Sequence, residues 1–252
     1  MSEILPLVRS AIRVLKPYVS ARSLTLEGSI LLDANESPRL LTEVASFKGA
    51  NRYPEPQPRR IAETASAIYG VSLQNILVGR GSDEGIDVLM RAFCEAGRDQ
   101  VLICPPTYGV YEPAAAIQGA GVVRVPLVGS PGFRLDVARV CAAVADPAAS
   151  VKLVYVCSPN NPTGGVFEPA DIVSICTAAR GRAMVVVDEA YLEFARRASM
   201  LGRLGQFPNL VVLRTLSKAW ALAGVRCGFV FAAPEVISLL QRVRAPYPIS
   251  SA

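Results

Sequence analysis

Two ionisable side chains follow apolar runs of the sequence at points where a buried strand would end. Asp188 comes directly after Met184–Val187, and Lys218 comes shortly after Leu210–Arg214. Burying an unpaired carboxylate is costly, so an acid at the end of a buried strand is more often functional than a simple helix N-cap. The apolar residues that follow Lys218 predict its partial burial, which would lower the pKa of the amine and make it a usable nucleophile.

A glycine-rich segment, Gly79–Gly85, follows the first predicted strand and leads into a helix. Its spacing nearly matches the dinucleotide-binding pattern, but the last glycine is one residue too far, and the next strand ends at Ile103–Pro105 without an acid for a ribose. A nicotinamide cofactor is therefore rejected. The free N–H groups and the positive end of the helix dipole favour a phosphate at this loop. The alternative is a tight turn that binds nothing.

A lysine amine, an acid, a phosphate-type loop and a flat aromatic side chain together match the needs of pyridoxal phosphate. Its aldehyde reacts with a lysine, and its ring nitrogen needs an acid to stay protonated. Tyr108, which follows the second predicted strand, supplies the stacking face. The sequence has no histidine, which excludes Ser-His-Asp and Cys-His catalysis and His-based zinc sites. No metal is expected.

The elements that must position these residues follow an α/β pattern. From residue 59 onward, short β-branched runs alternate with helical segments, as in a doubly wound sheet. The seven predicted strands are 75–79, 101–104, 122–127, 152–157, 183–188, 210–214 and 227–232. Ligands of such sheets bind beyond the carboxyl ends of the strands, so the polar segments should meet at one edge. One helix is predicted to begin with Ser82 as its N-cap and to stop at Gly97.

The composition indicates a globular protein without a nucleic-acid or membrane partner. Of the 252 residues, 51% are apolar and 19% are charged, which excludes disorder. The net charge of +5 comes from basic residues scattered along the chain, unlike a nucleic-acid footprint. No apolar run reaches the roughly 18 residues of a membrane span. The six cysteines contain no C-x-x-C pair, so we expect them to be reduced core residues of a cytoplasmic protein. The spacing of apolar residues in segment 1–16 predicts an amphipathic arm.

Three motifs in this order resemble the class I and II aminotransferases of fold type I: Ser158–Gly164, Asp188–Tyr191 and Thr215–Trp220. Within that family the chain resembles the histidinol-phosphate aminotransferases almost from end to end, on segments 16–22, 33–36, 51–54, 80–85, 224–229 and 245–248. The resemblance implies a mostly parallel, seven-stranded large domain with an incomplete small domain. Residues 1–45 would form an N-terminal arm and part of the small domain, 46–245 the large domain that binds pyridoxal phosphate, and 246–252 the start of a connection to a C-terminal small domain.

The resemblance also implies a role for each matching residue. Lys218 would bind the cofactor covalently and move a proton between the substrate carbon and the cofactor, and Asp188 would pair with the ring nitrogen. Tyr191 and Asn161 would hydrogen-bond the phenolic oxygen, and Tyr108 would stack on the ring. The phosphate would be held by the backbone around Ser82 and Asp83, by Ser217 and by Arg226, and Tyr53 would reach it across a homodimer interface. Gly81 and Thr215 are also expected to bind the cofactor. The residues expected to face the substrate are Tyr18, Asn35 and Tyr247.

The activity implied by the resemblance is transfer of an amino group between L-histidinol phosphate and 2-oxoglutarate, in histidine biosynthesis. The other pair of compounds is imidazole acetol phosphate and glutamate. Two alternatives stay open. One is an aminotransferase for aromatic amino acids or a related phospho-amino-acid enzyme. The other is a non-catalytic fragment that binds pyridoxal phosphate, because relatives have a further C-terminal domain of about a hundred residues whose arginine positions the anionic group of the substrate.

Overall fold

A computed structural model describes residues 3–13, 52–129 and 132–250 of the chain. Its centre is one sheet of seven strands: β1 Ile76–Gly79, β2 Gln100–Ile103, β3 Gly121–Arg124, β4 Val151–Cys157, β5 Met184–Asp188, β6 Leu210–Thr215 and β7 Gly228–Ala232. The α-helices of the described residues are α1 Ser10–Arg13, α2 Arg59–Tyr69, α3 Ser82–Phe93, α4 Tyr111–Gln118, α5 Val137–Ala145, α6 Pro169–Ala178 and α7 Pro234–Val243. All seven predicted strands are therefore confirmed, with ends shifted by up to three residues.

The sheet is mostly parallel, as the alternation of strands and helices predicts. Its strand order is β1-β7-β6-β5-β4-β2-β3. The pairs from β6 to β3 are parallel, whereas β7 runs antiparallel to both of its neighbours. The carboxyl ends of β1, β2, β4, β5 and β6 therefore share one edge with the amino end of β7. Every polar segment singled out in the sequence comes to that edge.

The central strands are buried on both faces, which explains their continuous apolar sequences. Val154, Val186 and Val211 are fully buried, and the buried residues form two hydrophobic clusters, one on each side of the sheet. Parallel strands covered by helices on both faces characteristically read as uninterrupted Val, Ile and Leu runs. The hydrophobic effect thus holds the strands in place, while their last residues emerge from the core at the polar edge.

The start and the end of helix α3 differ from the prediction. Gly81 is the N-cap, Ser82 is the first helical residue, and no side chain caps the first turn. Gly81 has φ +77°, a left-handed conformation that glycine adopts at little cost where the chain turns from β1 into the helix. The helix ends at Phe93, because Cys94 is already extended. Gly97 lies in the turn beyond it and donates its N–H to the carbonyl of Gly119 at 2.8 Å.

Part of the predicted amphipathic arm packs against helices that cover one face of the sheet. Ile4, Val8 and Ile12 are buried as the helical spacing predicts, and they share a cluster with residues of α3 and α7. The segment is not one helix, however, because a 3-10 turn at Leu5–Leu7 precedes the short α1. As a result Leu5 is exposed and Leu7 is buried instead.

The cysteines follow the prediction of reduced core residues, and all six are free. Five are buried, and only Cys141 is partly exposed. None of the helices in the described parts of the chain is long and apolar enough to cross a membrane. A search of the same residues finds no group of histidine, cysteine, aspartate or glutamate side chains that could hold a metal ion.

Candidate active site

One pocket at the polar edge of the sheet collects most of the predicted site. Its lining residues are Gly81, Ser82, Asp83, Tyr108, Cys157, Asp188, Ala190, Tyr191, Thr215, Ser217, Lys218, Ala223 and Arg226. These residues come from six separate stretches of the chain, and the strand order brings them together. All the predicted cofactor-binding residues belong to this lining except Asn161 and Tyr53.

The loop between β1 and α3 forms one wall of the pocket and touches β7 closely. A Cβ atom on Gly228 would lie 2.5 Å from the carbonyl carbon of Gly81 and 2.6 Å from the amide nitrogen of Ser82. A Cβ atom on Gly81 would lie 3.1 Å from a guanidinium nitrogen of Arg226. The two glycines therefore allow the backbone and the arginine to approach each other, which leaves N–H donors and a cation together at the helix start.

We expect Gly228→Ala to disrupt this wall. Its new Cβ atom would overlap the backbone of Gly81, so strands and loop must separate, at a cost of roughly 1–3 kcal/mol in the free energy of unfolding. Urea denaturation measures this change. Gly224→Ala is the matched control, because a Cβ atom there meets nothing within 4 Å. Equal unfolding free energies in the two variants would contradict the close approach.

Asp83 occupies the space between the predicted stacking residue and the predicted phosphate ligand. Tyr108 donates its hydroxyl hydrogen to Asp83 Oδ1 at 3.0 Å, and Arg226 Nη2 lies 3.7 Å from Asp83 Oδ2. Burial and the carboxylate of Asp83 raise the pKa of Tyr108 above its usual range. Arg226 itself has φ +55° and donates from Nη1 to the carbonyl oxygen of Ala223 at 3.2 Å. The arginine is thus held beside the loop, where its guanidinium faces the Asp83 carboxylate.

Asp188 is a buried carboxylate at the floor of the pocket. It ends β5, between Cys157 of β4 and Leu213 of β6. Its Oδ2 accepts a hydrogen bond from the hydroxyl of Tyr111 at 2.8 Å, and its Oδ1 accepts one from the backbone N–H of Ala190 at 3.1 Å. Burial nevertheless raises the pKa of Asp188 to about 6. Such a carboxylate gains most from a cationic hydrogen-bond donor placed in the pocket.

Sequence reasoning missed Tyr111, the partner of this carboxylate. It is fully buried, with its ring stacked on Tyr155 at 4.6 Å between centroids and in edge contact with Tyr108 at 5.5 Å. Tyr111 therefore supports both the acid and the predicted stacking residue. No local pattern identifies this contact, because Tyr111 and Asp188 lie far apart in the sequence and meet only through the order of the strands.

Lys218 and Tyr191 belong to the pocket lining, and Asn161 lies beside it, next to Tyr191. The ammonium nitrogen of Lys218 is 5.5 Å from the centroid of the Tyr191 ring, within the range of a cation–π contact. Asn161 Nδ2 donates to the Tyr191 hydroxyl at 3.4 Å. The predicted partial burial of Lys218 is wrong, since the side chain is exposed. The apolar residues after it form a surface turn instead of packing inward, and Trp220 and Leu222 are exposed as well.

Thr215 and Ser217 complete the pocket between Asp188 and Lys218. The Thr215 hydroxyl donates to Ser217 Oγ at 3.0 Å and accepts the backbone N–H of Ser217 at 3.1 Å. This pair turns the chain sharply as it leaves β6. It therefore sets the direction in which Lys218 leaves the sheet.

The remaining predicted residues lie elsewhere or outside the described residues. Tyr53 and Tyr247 stack on each other, with centroids 4.5 Å apart and an interplanar angle of 14°, and neither lines the pocket. Tyr18 and Asn35 lie outside the described residues. The expected contact of Tyr53 with a phosphate across a homodimer interface remains a prediction.

The sheet topology and the pocket together define a pyridoxal-phosphate-dependent transferase fold of the aminotransferase type. The family model for aminotransferase class I and II matches residues 28–252. The chain belongs to the class I and II aminotransferase family.

Its relatives include histidinol-phosphate aminotransferases. The chain is 49% identical to that of Cronobacter sakazakii, over 97% of this chain and 66% of the relative. It is also 49% identical to that of Aeromonas hydrophila, over 96% of this chain and 67% of the relative. The chain therefore spans about two thirds of the length of these relatives.

Solved structures share the fold. A putative histidinol-phosphate aminotransferase from Erwinia carotovora atroseptica superimposes with a TM-score of 0.71 at 33% identity, over 80% of this chain and 58% of that one. The histidinol-phosphate aminotransferase from Sinorhizobium meliloti, solved in complex with pyridoxal-5'-phosphate, gives a TM-score of 0.72 at 29% identity, over 79% of this chain and 53% of that one.

Proposed function

We propose that this chain carries the pyridoxal phosphate site of an aminotransferase that exchanges an amino group between L-histidinol phosphate and 2-oxoglutarate. The observation that carries the proposal is the convergence of Lys218, Asp188 and Arg226 on one pocket. An amine, a buried acid and a guanidinium are the three groups that an aldehyde, a ring nitrogen and a phosphate require. Similarity to the histidinol-phosphate aminotransferases supports the choice of substrates.

The residues present fit the cofactor. Within the described parts of the chain, the hydrogen bonds to the buried Asp188 carboxylate come from a phenol and a backbone amide, and no cationic side chain pairs with it. A protonated ring nitrogen would supply that charge. One wall of the pocket is backbone: a Cβ atom on Gly228 would overlap Gly81 and Ser82, and a Cβ atom on Gly81 would press on the Arg226 guanidinium. That wall suits a phosphate, which takes backbone N–H donors at a helix N-terminus.

Each side chain has a separate task in this proposal. When bound, pyridoxal phosphate supplies the electron sink that makes amino-group transfer possible. Asp188 keeps the proton on the ring nitrogen, and Lys218 holds the cofactor and then moves the proton at the substrate carbon. Tyr108 covers one face of the ring. The phosphate is held by the backbone of Ser82 and Asp83, by Ser217 and by Arg226. Gly81 and Thr215 also belong to the proposed cofactor-binding residues.

Tyr191 and Asn161 act together at the phenolic oxygen of the ring. Their mutual hydrogen bond orients both donors, and the ring of Tyr191 lies against the Lys218 amine. The hydrogen bonds that they donate favour negative charge on that oxygen, which adjusts the proton affinity of the neighbouring lysine nitrogen. Lys218, Asp188 and Tyr191 are therefore the proposed catalytic residues.

The substrate side and the assembly are parts of the same proposal. Tyr18, Asn35 and Tyr247 would face the substrate, and Tyr53 would reach the phosphate of a second copy in a homodimer. Residues 46–245 would form the large domain. A role in amino-acid biosynthesis would place the protein in the cytoplasm.

Cofactor binding and amino transfer can be tested separately. Titration with pyridoxal phosphate should produce the visible absorbance of the lysine-bound cofactor. The loaded protein should then release glutamate when given histidinol phosphate and 2-oxoglutarate. An aromatic amino acid as the donor tests the alternative substrate class. Binding without glutamate from any donor would overturn the transaminase assignment, and a colourless protein would overturn the cofactor site.

A further inference from the structure

A buried ionic cluster lies across the sheet from the pocket. Arg214 in β6 donates from Nη1 to Glu189 Oε2 at 2.9 Å and from Nη2 to Glu193 Oε1 at 2.7 Å. The side chains of Arg214 and Glu189 are only 7% and 3% exposed. Side chains alternate between the faces of a strand, so Arg214 points away from the face that Thr215 and Asp188 share. We call Arg214, Glu189 and Glu193 the Arg214 cluster.

Each acid of the cluster lies within two positions in the sequence of a residue of the proposed active site. Glu189 follows Asp188 directly, and Glu193 lies two positions after Tyr191. Glu193 also accepts a hydrogen bond from the indole of Trp220 at 3.3 Å, and Trp220 lies two positions after Lys218. The cluster therefore connects the loop after β5 with the loop after β6.

The remaining contacts hold the cluster rigidly. Glu189 also accepts hydrogen bonds from the Ser199 hydroxyl at 2.6 Å and the Met200 amide at 2.7 Å. The guanidinium carbon of Arg214 lies 5.0 Å from the centre of the Tyr69 ring, at the end of α2. Each contact restricts the orientation of the planar guanidinium, which presents its donors in a fixed fork.

Stability alone does not explain this arrangement. Well-packed apolar side chains are often as stabilising as a buried ion pair, or more so, because the desolvation of both charges opposes their attraction. Arg214 Nε is, in addition, buried without a hydrogen-bond partner among the described residues. A guanidinium group differs from an apolar side chain because it fixes the geometry between the two carboxylates to which it donates hydrogen bonds.

We propose that Arg214 is a positioning residue that holds the loops of Tyr191 and Lys218 at the separation that cofactor binding requires. This inference rests on the proposed function, because it concerns the same pocket. Arg214 is not among the residues that line the pocket. It acts through Glu193, which links the Tyr191 loop to Trp220 and so to the Lys218 loop.

The main test removes the contact of Arg214 with Glu193 and keeps the ion pair of Arg214 with Glu189. Arg214→Ala would leave Glu189 buried without its partner and risks unfolding, so Glu193→Ala is the main variant and Arg214→Lys the second. A lysine cannot bond both carboxylates in the same fork. Glu193→Gln restores the shape and serves as the conservative rescue. Glu63→Ala is the matched control, since Glu63 forms an exposed ion pair with Arg59 at 2.9 Å.

Trp220 gives a readout that does not depend on activity. It is the only tryptophan of the chain, so acrylamide quenching of its fluorescence reports on the Lys218 loop alone. We expect Glu193→Ala and Arg214→Lys to increase quenching in the cofactor-free protein. Both should weaken pyridoxal phosphate binding by roughly tenfold and shift the pH at which the bound cofactor changes colour. Glu193→Gln should recover much of each effect, and Glu63→Ala should show none.

Each outcome decides the proposal. Wild-type quenching, cofactor affinity and colour change in both variants would overturn it, and so would an equal effect in Glu63→Ala. If the wild-type protein binds no pyridoxal phosphate, the proposed function fails, and the quenching comparison alone then decides whether the cluster holds the loop. Increased quenching with normal cofactor affinity would show a structural tie without a positioning role, which also overturns the proposal.

Discussion

Replacing Lys218 with arginine is expected to abolish covalent attachment of pyridoxal phosphate and leave the fold intact. The side chain is exposed, so a longer cation costs little there. Guanidinium stays protonated at all ordinary pH values and cannot act as the nucleophile. Borohydride reduction of the loaded protein, followed by peptide mass spectrometry, should locate the cofactor on Lys218 in the wild type and nowhere in the variant. The visible absorbance of the bound cofactor should be lost as well.

Lys152→Arg is the matched control for this experiment. Lys152 lies in β4 and outside the pocket lining, so its replacement should leave the labelling of Lys218 unchanged. In any transamination that the wild type performs, Lys218→Arg should lower the rate by roughly 10²–10⁴-fold, the contribution of a positioned proton-transfer group. Full labelling of Lys218→Arg, or lost labelling in Lys152→Arg, would show that a different lysine binds the cofactor.

The free energy of unfolding is expected to depend on pH through the carboxyl group of Asp188. Burial raises the pKa of this carboxyl from 3.8 to about 6 in the folded protein, so the folded state binds the proton more tightly than the unfolded chain does. The contribution of Asp188 to the free energy of unfolding is therefore fully present below about pH 4 and is lost as the pH rises through about 6. At neutral pH the loss amounts to roughly 3 kcal/mol, since each pKa unit corresponds to about 1.4 kcal/mol.

Asp188→Asn removes this titration and keeps the shape of the side chain. Without cofactor, the variant should gain stability relative to the wild type as the pH rises from about 4 to about 7. Urea unfolding at a series of pH values measures the difference. With saturating cofactor this gain should shrink or vanish, because loss of a charge-assisted hydrogen bond of about 1.5–3 kcal/mol weakens binding by roughly 10–150-fold. The variant therefore separates the destabilisation that the buried carboxylate causes from its contribution to cofactor binding.

Asp171→Asn controls for a change of charge at the surface, because Asp171 lies in the first turn of α6 and away from the pocket. Its unfolding curve should stay parallel to that of the wild type. If Asp188→Asn also gave a parallel curve, the carboxylate would not carry the raised pKa. If it bound pyridoxal phosphate as tightly as the wild type, Asp188 would not be the partner of the ring nitrogen.

The positions of the strands were predictable because their physical causes are local. Runs such as Met184–Val187 are apolar without interruption, a pattern typical of a strand covered on both faces. The polar edge was predictable for the same reason, since in a parallel sheet the ends of the strands share one side. Asp188 and Lys218 could therefore be assigned to one pocket before any distance was known.

Features that depend on contacts between distant segments were not predictable. Lys218 was expected to be partly buried because apolar residues follow it, yet these residues form a surface turn. Sequence neighbours do not reveal whether an apolar side chain has a partner to pack against. The N-cap of α3 was misplaced because the left-handed turn at Gly81 depends on its contact with β7 and Arg226.

Residue types and their local spacing already specify the chemistry that this protein can offer: no histidine, one lysine and one acid after buried strands, and a glycine loop before a helix. How these groups are held depends on the tertiary structure. Tyr111 reaches Asp188, and Arg214 joins Glu189 to Glu193, because strands distant in sequence are neighbours in the sheet. Hydrogen bonds between such residues depend on strand order and register, which residue spacing along the chain does not specify.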